Sequence, residues 1–400
     1  MRPAAKNTRH RAEGQQPALL SAGFRPFFLL AAAWAAIAVP VWLAAYAHGY
    51  ALRGALPPMT WHAHEMIFGF GLAVVAGFLL TAIPNWTGRL PLRGTGLAGL
   101  AALWVAGRVA LLLSGEIGPA PAAAIDLAFP LLLAAAVARE LIAGRNWRNL
   151  PVLAALGLLL AANTLVHLHA LGVAYTAAPG LRLGIATLLG LIALVGGRIV
   201  PSFTRNWLAK TRPEIAPPVP AGKADLACLL ATVSVLAAWV VAPETHFACV
   251  LEILGGAGAA FRLSRWRGLA TLREPLVAVL HAGYAWLALG LVWLGLNGLF
   301  EWVAPAAALH ALTVGAIGTM TLAVMTRATL GHTGRPLAAG PATRAIYAMV
   351  SLGAALRVAA PLTGAGTLVL TSLAGAAWST SFALFALIYG RMLLGARQSA

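Results

Sequence analysis

The chain has 400 residues, of which 60% are hydrophobic and only 10% are charged. A soluble protein of this length needs more polar side chains to cover its surface, so this composition excludes a soluble globular protein. The formal net charge of +17 is compatible with binding to nucleic acid. The basic residues are not clustered on any soluble domain, however, so we expect the lipid bilayer as a partner and no nucleic acid.

Apolar runs close to the ~20 residues that cross a bilayer recur along the chain. Residues 1–23 are polar and basic without an apolar core, so we expect a cytoplasmic tail there rather than a cleavable signal peptide. Residues 24–400 are predicted to form a single integral membrane domain, an all-α polytopic bundle of about twelve transmembrane helices. In chain order the predicted helices cover 24–46, 62–83, 96–114, 121–142, 150–171, 178–200, 224–243, 247–263, 274–297, 304–326, 342–361 and 365–390.

The basic residues predict the orientation of these helices. If the helices alternate, all of the 28 Lys and Arg residues except Arg53, Arg108, Arg182 and Arg357 fall on one side of the membrane. The positive-inside rule makes that side cytoplasmic, with both termini inside. A buried arginine needs an anionic partner. Snorkelling to the outer head groups accounts for Arg53 and Arg182, but poorly for Arg108, which lies well inside its helix.

Three of the predicted inner loops resemble one another. The second, sixth and tenth helices are each followed by a short polar segment with an arginine, at Arg89, Arg205 and Arg335. This pattern predicts three pseudo-equivalent four-helix units in which these three helices correspond. Chance similarity of short loops with a biased composition is the alternative.

Most of the candidate functional residues fall at one depth. The sequence WHAHEM at 61–66 opens the second helix, and ionisable groups inside a membrane are usually functional. Residence in the head-group layer with no specific role is the alternative. Five imidazoles share a layer in the outer half, namely His62, His64, His167, His169 and His310.

Helix geometry limits which histidines cooperate. Residues i and i+2 point about 200° apart, so His62 and His64 cannot both ligate one ion in a regular helix, and the same holds for His167 and His169. Imidazole sets without a carboxylate cage suit haem iron or copper. Haem propionates would also be an anionic partner for a buried arginine. The acidic residues near this layer are Glu65, Glu116, Asp126, Glu244 and Glu301.

Four motifs resemble the NnrS family: FRPFF at 24–28, WHAHEM at 61–66, PNWTGR at 84–89 and LGHTGRP at 330–336. The resemblance runs nearly end to end. It implies a polytopic protein of the bacterial inner membrane that carries haem and copper. Such proteins are associated with denitrification and with protection against nitric oxide stress.

The family is also similar to the catalytic subunit of haem-copper oxidases, which has twelve helices in three pseudo-equivalent sets. In that subunit the second and tenth helices supply axial histidines to a haem. The similarity implies His62 or His64, together with His310, as axial ligands here. The oxidase copper ligands lie on the sixth and seventh helices, which contain no histidine in this chain. We therefore expect neither copper in the oxidase position nor an oxygen-reducing pump.

The predicted sites follow from these two arguments. A b-type haem is expected between the second and tenth helices, with Arg108 or Arg357 near a propionate. The predicted copper ligands are the other histidine of the second helix, His62 or His64, with His167 and His169, and His281 as a further candidate. Glu65 is expected either to hold a ligating imidazole or to pass protons. Tyr284 is the candidate hydrogen-bond partner of His281, at i and i+3 on one helix face, although the two could equally form a satisfied core pair.

The predicted function is nitric oxide binding or redox chemistry at this metal site, with an unidentified electron donor. Two axial ligands would prevent a gas molecule from binding the iron. A five-coordinate haem beside copper would permit the reduction of nitric oxide. The sequence does not distinguish between these cases, and so it does not predict whether the protein is an enzyme. The alternative is a membrane transporter without haem, in which the same histidines and Glu65 bind protons or substrate.

Overall fold

The computed structural model describes residues 17–398, so residues 1–16 of the predicted tail lie outside it. Within the described range the chain is helical, and twelve helices are long and apolar enough to cross a membrane, which indicates a multi-pass membrane protein. They are α1 (Phe24–His48), α2 (Pro58–Thr87), α3 (Thr95–Leu112), α4 (Pro119–Ala143), α5 (Trp147–Ala170), α6 (Ala177–Thr211), α7 (Lys223–Val241), α8 (His246–Ser264), α9 (Pro275–Phe300), α10 (Pro305–His332), α11 (Pro341–Leu362) and α12 (Gly364–Leu394).

The prediction of twelve helices is confirmed, but two helices end well beyond the predicted residue. Helix α10 was expected to end at residue 326 and continues to His332. Helix α6 was expected to end at residue 200 and continues to Thr211. Residues 197–211 mix apolar and basic side chains, so they form an amphipathic extension that an apolar-run criterion does not detect. Arg205 therefore lies inside a helix, whereas Arg89 and Arg335 follow the ends of α2 and α10.

Three helices contain a π-helical segment. These segments are Glu65–Gly71 in α2, Ile192–Gly196 in α6 and Ala311–Gly318 in α10, and no other occurs in residues 17–398. In α2 and α10 a histidine immediately precedes the segment. A π turn carries one residue more than an α turn, which changes the direction of the side chains on either side of it, and such turns are frequent at functional sites.

The interior of the bundle lies around α2, α6, α9 and α10, the helices with the largest buried fractions, whereas α7 is the most exposed. Neighbouring helices pair along the chain, as in α8 with α9 and α11 with α12, and α12 packs back against α1. Small residues permit close approach, as usual in membrane bundles. A Cβ on Gly295 of α9 would lie 2.3 Å from the carbonyl oxygen of Cys249 in α8.

Candidate functional site

Two of the predicted site histidines line one cavity between α1, α2, α10, α11 and α12. We call it the apolar cavity, because apart from His62, His310 and Arg357 its walls are mainly aliphatic and aromatic. With its opening included, it leaves about 990 Å³ free of protein atoms. Mostly apolar walls with a few polar groups are typical of cofactor pockets.

His62 has a fixed orientation in this cavity. Its ring stacks on Trp42 of α1, with the ring centroids 4.2 Å apart and the planes inclined by 23°. Its Nδ1 atom is buried and has no hydrogen-bond partner among the described residues. Buried polar atoms are normally paired, so an unpaired one on a residue that lines a cavity makes that residue a candidate ligand.

His310 reaches the same cavity from α10. Its Nδ1 atom lies 2.6 Å from the carbonyl oxygen of Ala306. A carbonyl only accepts, so Nδ1 carries the hydrogen and the lone pair is on Nε2. Arg357 of α11 lines the cavity as well. The structure thus brings one histidine of α2, the histidine of α10 and one of the two predicted propionate arginines together.

The other predicted residues of α2 and α5 meet in a separate place, between α2, α3, α4 and α5. We call this group the ionic cluster, and every member of it is at most 3% exposed. Its members are His64, Glu65, Arg108, Asp126, Asn163 and His167.

Arg108 bridges the two carboxylates of the ionic cluster. Its Nη1 donates to Glu65 Oε2 at 2.6 Å, and its Nη2 donates to Asp126 Oδ1. The indole Nε1 of Trp34 also donates to Glu65 Oε2, at 2.7 Å. A Cβ on Gly69 would lie 2.5 Å from this oxygen and 2.9 Å from Arg108 Nη1, so the bridge needs glycine there. The anionic partners of Arg108 are therefore protein carboxylates.

The two histidines of the ionic cluster converge on Asp126. His167 Nε2 lies 2.9 Å from Asp126 Oδ2, and His64 Nε2 lies 3.3 Å from the same oxygen and 2.7 Å from Asn163 Oδ1. Asn163 Nδ2 in turn donates to Asp126 Oδ2 at 2.8 Å. The metal-binding atoms of His64, Asp126 and His167 all lie within 4.8 Å of one another. Two imidazoles and one carboxylate are a donor set that a transition metal can use.

The charges of the ionic cluster leave room for one more cation. Two carboxylates face one guanidinium, which gives a formal charge of −1 while both imidazoles are neutral. His64 Nδ1 and Glu65 Oε1 are 3.6 Å apart, and neither has a hydrogen-bond partner in the described chain. Buried charges need balancing partners, so a proton on an imidazole or a metal ion fits here.

Side chains two residues apart point to different places, as the helical geometry predicts. His62 faces Trp42 and the apolar cavity, whereas His64 faces Asn163 in the ionic cluster. His169, unlike His167, is partly exposed, with its ring centroid 6.1 Å from that of Tyr175, so it lies outside the cluster.

His281 and Tyr284 lie elsewhere, between α6, α8 and α9. The hydroxyl of Thr204 donates to the Val200 carbonyl, so His281 Nε2, 2.8 Å away, donates to that hydroxyl. His281 Nδ1 faces Gly268, where a Cβ would be only 2.7 Å away. The Tyr284 hydroxyl accepts from an Arg262 guanidinium nitrogen at 2.8 Å. The two side chains therefore have different hydrogen-bond partners, and His281 Nδ1 is buried without one among the described residues.

Asp126 and Asn163 were not among the predicted ligands. Each is a polar residue inside a predicted helix, and Asn163 lies four residues before His167 on the same helix face. That spacing predicts that the two side chains lie next to each other, so Asn163 could have been predicted as a neighbour of His167. No such spacing links Asp126 to the other members of the cluster, because its contacts depend on the packing of α4 beside α3 and α5.

Cavities also extend along the centre of the bundle. A middle cavity between α2, α6 and α10 shares Leu188 and Ile317 with the apolar cavity. A far cavity shares Phe78, Ile199 and Val324 with the middle one. The π segments of α2, α6 and α10 all contribute lining residues to this row.

Comparison with known proteins identifies the family. A family described as NnrS protein matches residues 18–397, nearly the whole chain. No curated protein matches the chain. The resemblance of the four sequence motifs is thereby confirmed, and this multi-pass membrane protein belongs to the NnrS family.

Proposed function

We propose that this protein binds haem and copper in the bacterial inner membrane and acts in the nitric oxide response, by binding nitric oxide or by redox chemistry. One observation carries the proposal: imidazoles from α2 and α10 line a single apolar cavity together with Arg357. Membership of the NnrS family supports it.

The residues of the apolar cavity fit a haem. His62 and His310 are the axial candidates, and Arg357 is the candidate partner of a propionate. Trp42 restrains the His62 ring, and the Ala306 carbonyl fixes the tautomer of His310 that leaves Nε2 free. Bound haem would supply an iron centre able to bind nitric oxide or transfer electrons.

The ionic cluster fits a copper ion. His64 and His167 would supply nitrogen ligands and Asp126 an oxygen ligand, and a copper ion would offset the formal negative charge of the cluster. One ring nitrogen of His64 would bind copper, and the other would be held either by Asn163, which is next to Nε2, or by Glu65, which is next to Nδ1. The predictions for His169 and His281 remain, but neither lies in this cluster.

We also propose that α2, α6 and α10 are equivalent helices of three four-helix units, and that both termini are cytoplasmic. The π segments common to these three helices support the repeat. The distribution of lysine and arginine supports the orientation.

Spectra and metal analysis of single variants test both sites. We expect the protein, purified in detergent after expression with ample haem, to show a Soret band and to contain iron and copper. His62→Ala and His310→Ala should lose or alter the Soret band and keep copper. His64→Ala and His167→Ala should lose copper and keep the band. His169→Ala is the matched control and should keep both.

Two results would contradict the proposal. A colourless wild-type protein free of iron and copper would favour the transporter without haem. An unchanged Soret band in His62→Ala and His310→Ala would move the haem away from the apolar cavity, whatever the copper content.

A further inference from the structure

Three arginines line an open cleft beside the loop that joins α4 to α5. We call it the arginine cleft. With its opening included, it leaves about 960 Å³ free of protein atoms. The cleft is lined by Trp86, Gly144, Arg145, Asn146, Trp147, Arg148, Asn149 and Arg198.

The arginine cleft lies where several helices leave the apolar part of the bundle. Trp86 is next to the last residue of α2, and residues 144–146 connect α4 to α5. Arg198 begins the amphipathic, basic extension of α6. Trp86 and Trp147 flank the cleft, and tryptophan is enriched at the level of lipid head groups. Its place at the ends of membrane-length helices, between two tryptophans, indicates a position near the lipid head groups.

The three arginines have no anionic partner within residues 17–398. Arg145, Arg148 and Arg198 form no side-chain hydrogen bond or ion pair there, although Arg148 and Arg198 are close enough to repel each other. The acid nearest in sequence, Glu140, is bound by Arg89 at 2.6 Å and also by Arg139. Guanidinium groups that line one cleft without an acidic partner attract an anion.

The backbone that carries Arg145 and Arg148, the loop after α4 and the first turn of α5, is held in place by hydrogen bonds within the protein. Asn149 Nδ2 donates to Asn146 Oδ1 at 2.9 Å, and Asn146 Nδ2 donates to the Trp86 carbonyl. Arg145 adopts a φ of 50°, a left-handed conformation that is costly for a residue with a Cβ. A preorganised loop loses less entropy on binding.

We propose that the arginine cleft binds the phosphate group of an anionic phospholipid. Guanidinium forks match the oxygens of a phosphate in pairs, and basic pockets between membrane helices at the cytoplasmic side suit anionic head groups. The depth of the cleft favours a lipid over free phosphate. The site is separate from both proposed metal sites.

Lipid titration monitored by native mass spectrometry tests this site. The delipidated protein in mild detergent is titrated with phosphatidylglycerol and, separately, with phosphatidylcholine. We expect preferential binding of phosphatidylglycerol. Each arginine near an anionic surface contributes about a fivefold change in affinity, so the triple variant Arg145→Ala, Arg148→Ala, Arg198→Ala should bind roughly 100-fold more weakly. The triple lysine variant at the same positions keeps the positive charge but not the paired guanidinium donors. Its affinity for phosphatidylglycerol should fall less than that of the triple alanine variant.

A matched control removes the same charge elsewhere. Arg267, Arg273 and Arg391 are exposed and form no side-chain ion pair with a described residue. Their triple alanine variant should bind phosphatidylglycerol as the wild type does. Equal weakening in both alanine variants would overturn the proposal, as would equal binding of the two lipids. Displacement of the lipid by millimolar inorganic phosphate would identify a free-anion site instead and overturn the assignment to a lipid.

Discussion

Asp126 is the residue on which the ionic cluster depends most. Its carboxylate accepts from Arg108, Asn163 and His167, and it lies 3.3 Å from His64 Nε2. All four of these neighbours come from other helices, so the side chain joins α4 to α2, α3 and α5. In an interior that excludes water, removing one charge of such a group leaves its partner uncompensated.

Substitution Asp126→Asn should therefore lower the free energy of unfolding in detergent by about 3 kcal/mol or more, because a buried pair that loses one partner is strongly destabilised. It should also reduce the copper content. Thermal or denaturant unfolding measured beside metal analysis checks both effects.

Glu116→Gln is the matched control. Glu116 lies 3.7 Å from Arg53, in a pair whose side chains are 48% and 82% exposed. Exposed pairs contribute at most about 1 kcal/mol, so this variant should unfold almost as the wild type does. Equal destabilisation of the two variants would mean that the buried network is no stronger than a surface pair.

Some of this residue-level arrangement was predictable from the sequence. The opposite directions of His62 and His64 follow from the helical repeat alone. The acidic partners of Arg108 did not follow, because two of the interacting helices, α2 and α4, are separated by a third along the chain. Their contact is a property of the tertiary packing, and the search for an anionic partner of Arg108 led to a haem propionate instead.

At the scale of elements, the π segments that follow His64 and His310 change the direction of these side chains relative to the rest of each helix. Each π segment contains one residue more than an α-helix of the same number of turns. Hydrophobic periodicity, averaged over about 11 to 18 residues, does not detect a single extra residue. The sequence predicted the existence and order of the helices because apolar runs of membrane length are a strong signal. It did not predict the π segments, nor the basic extension of α6.

Deletion of one residue from the π segment of α10, for example Ala316, tests its role. The shorter segment should become α-helical, which would turn His310 by about 100° relative to the rest of α10. We expect the variant to insert and fold but to lose the Soret band, as shown by size-exclusion chromatography and absorption spectra.

Deletion of Leu230 from α7, the most exposed of the twelve described spans, is the comparison. It should keep the haem spectrum, since α7 contributes no residue to the apolar cavity. A wild-type spectrum in the Ala316 deletion would show that the π segment does not position His310.

At the scale of the whole molecule, the row of cavities does not provide a polar pathway. The middle cavity is lined by apolar side chains, and the hydroxyl of its Thr321 donates to the Ile317 carbonyl of its own helix. An ion that entered it would lose its hydration without gaining a partner, at a cost of many kcal/mol. Uncharged small molecules meet no such barrier.

The protein reconstituted in liposomes should therefore conduct neither protons nor potassium ions. We expect a pH-sensitive dye inside the vesicles to respond to an imposed gradient no faster than in protein-free vesicles. The same vesicles with a protonophore provide the positive control. A proton leak that depends on the protein would contradict an ion-impermeable middle cavity and would favour the alternative of a membrane transporter.

The apolar lining of the middle cavity should also make it a poor conductor of charge. Because none of the described charged side chains lines it, much of a transmembrane voltage should drop across it, and the ionic cluster and the apolar cavity should then lie closer to the potential of the compartment on their side. An electron delivered from that compartment would cross little of the field. An electron delivered from the side of the far cavity would cross most of it. The dependence of the reduction rate on membrane potential would therefore reveal the side on which the donor docks.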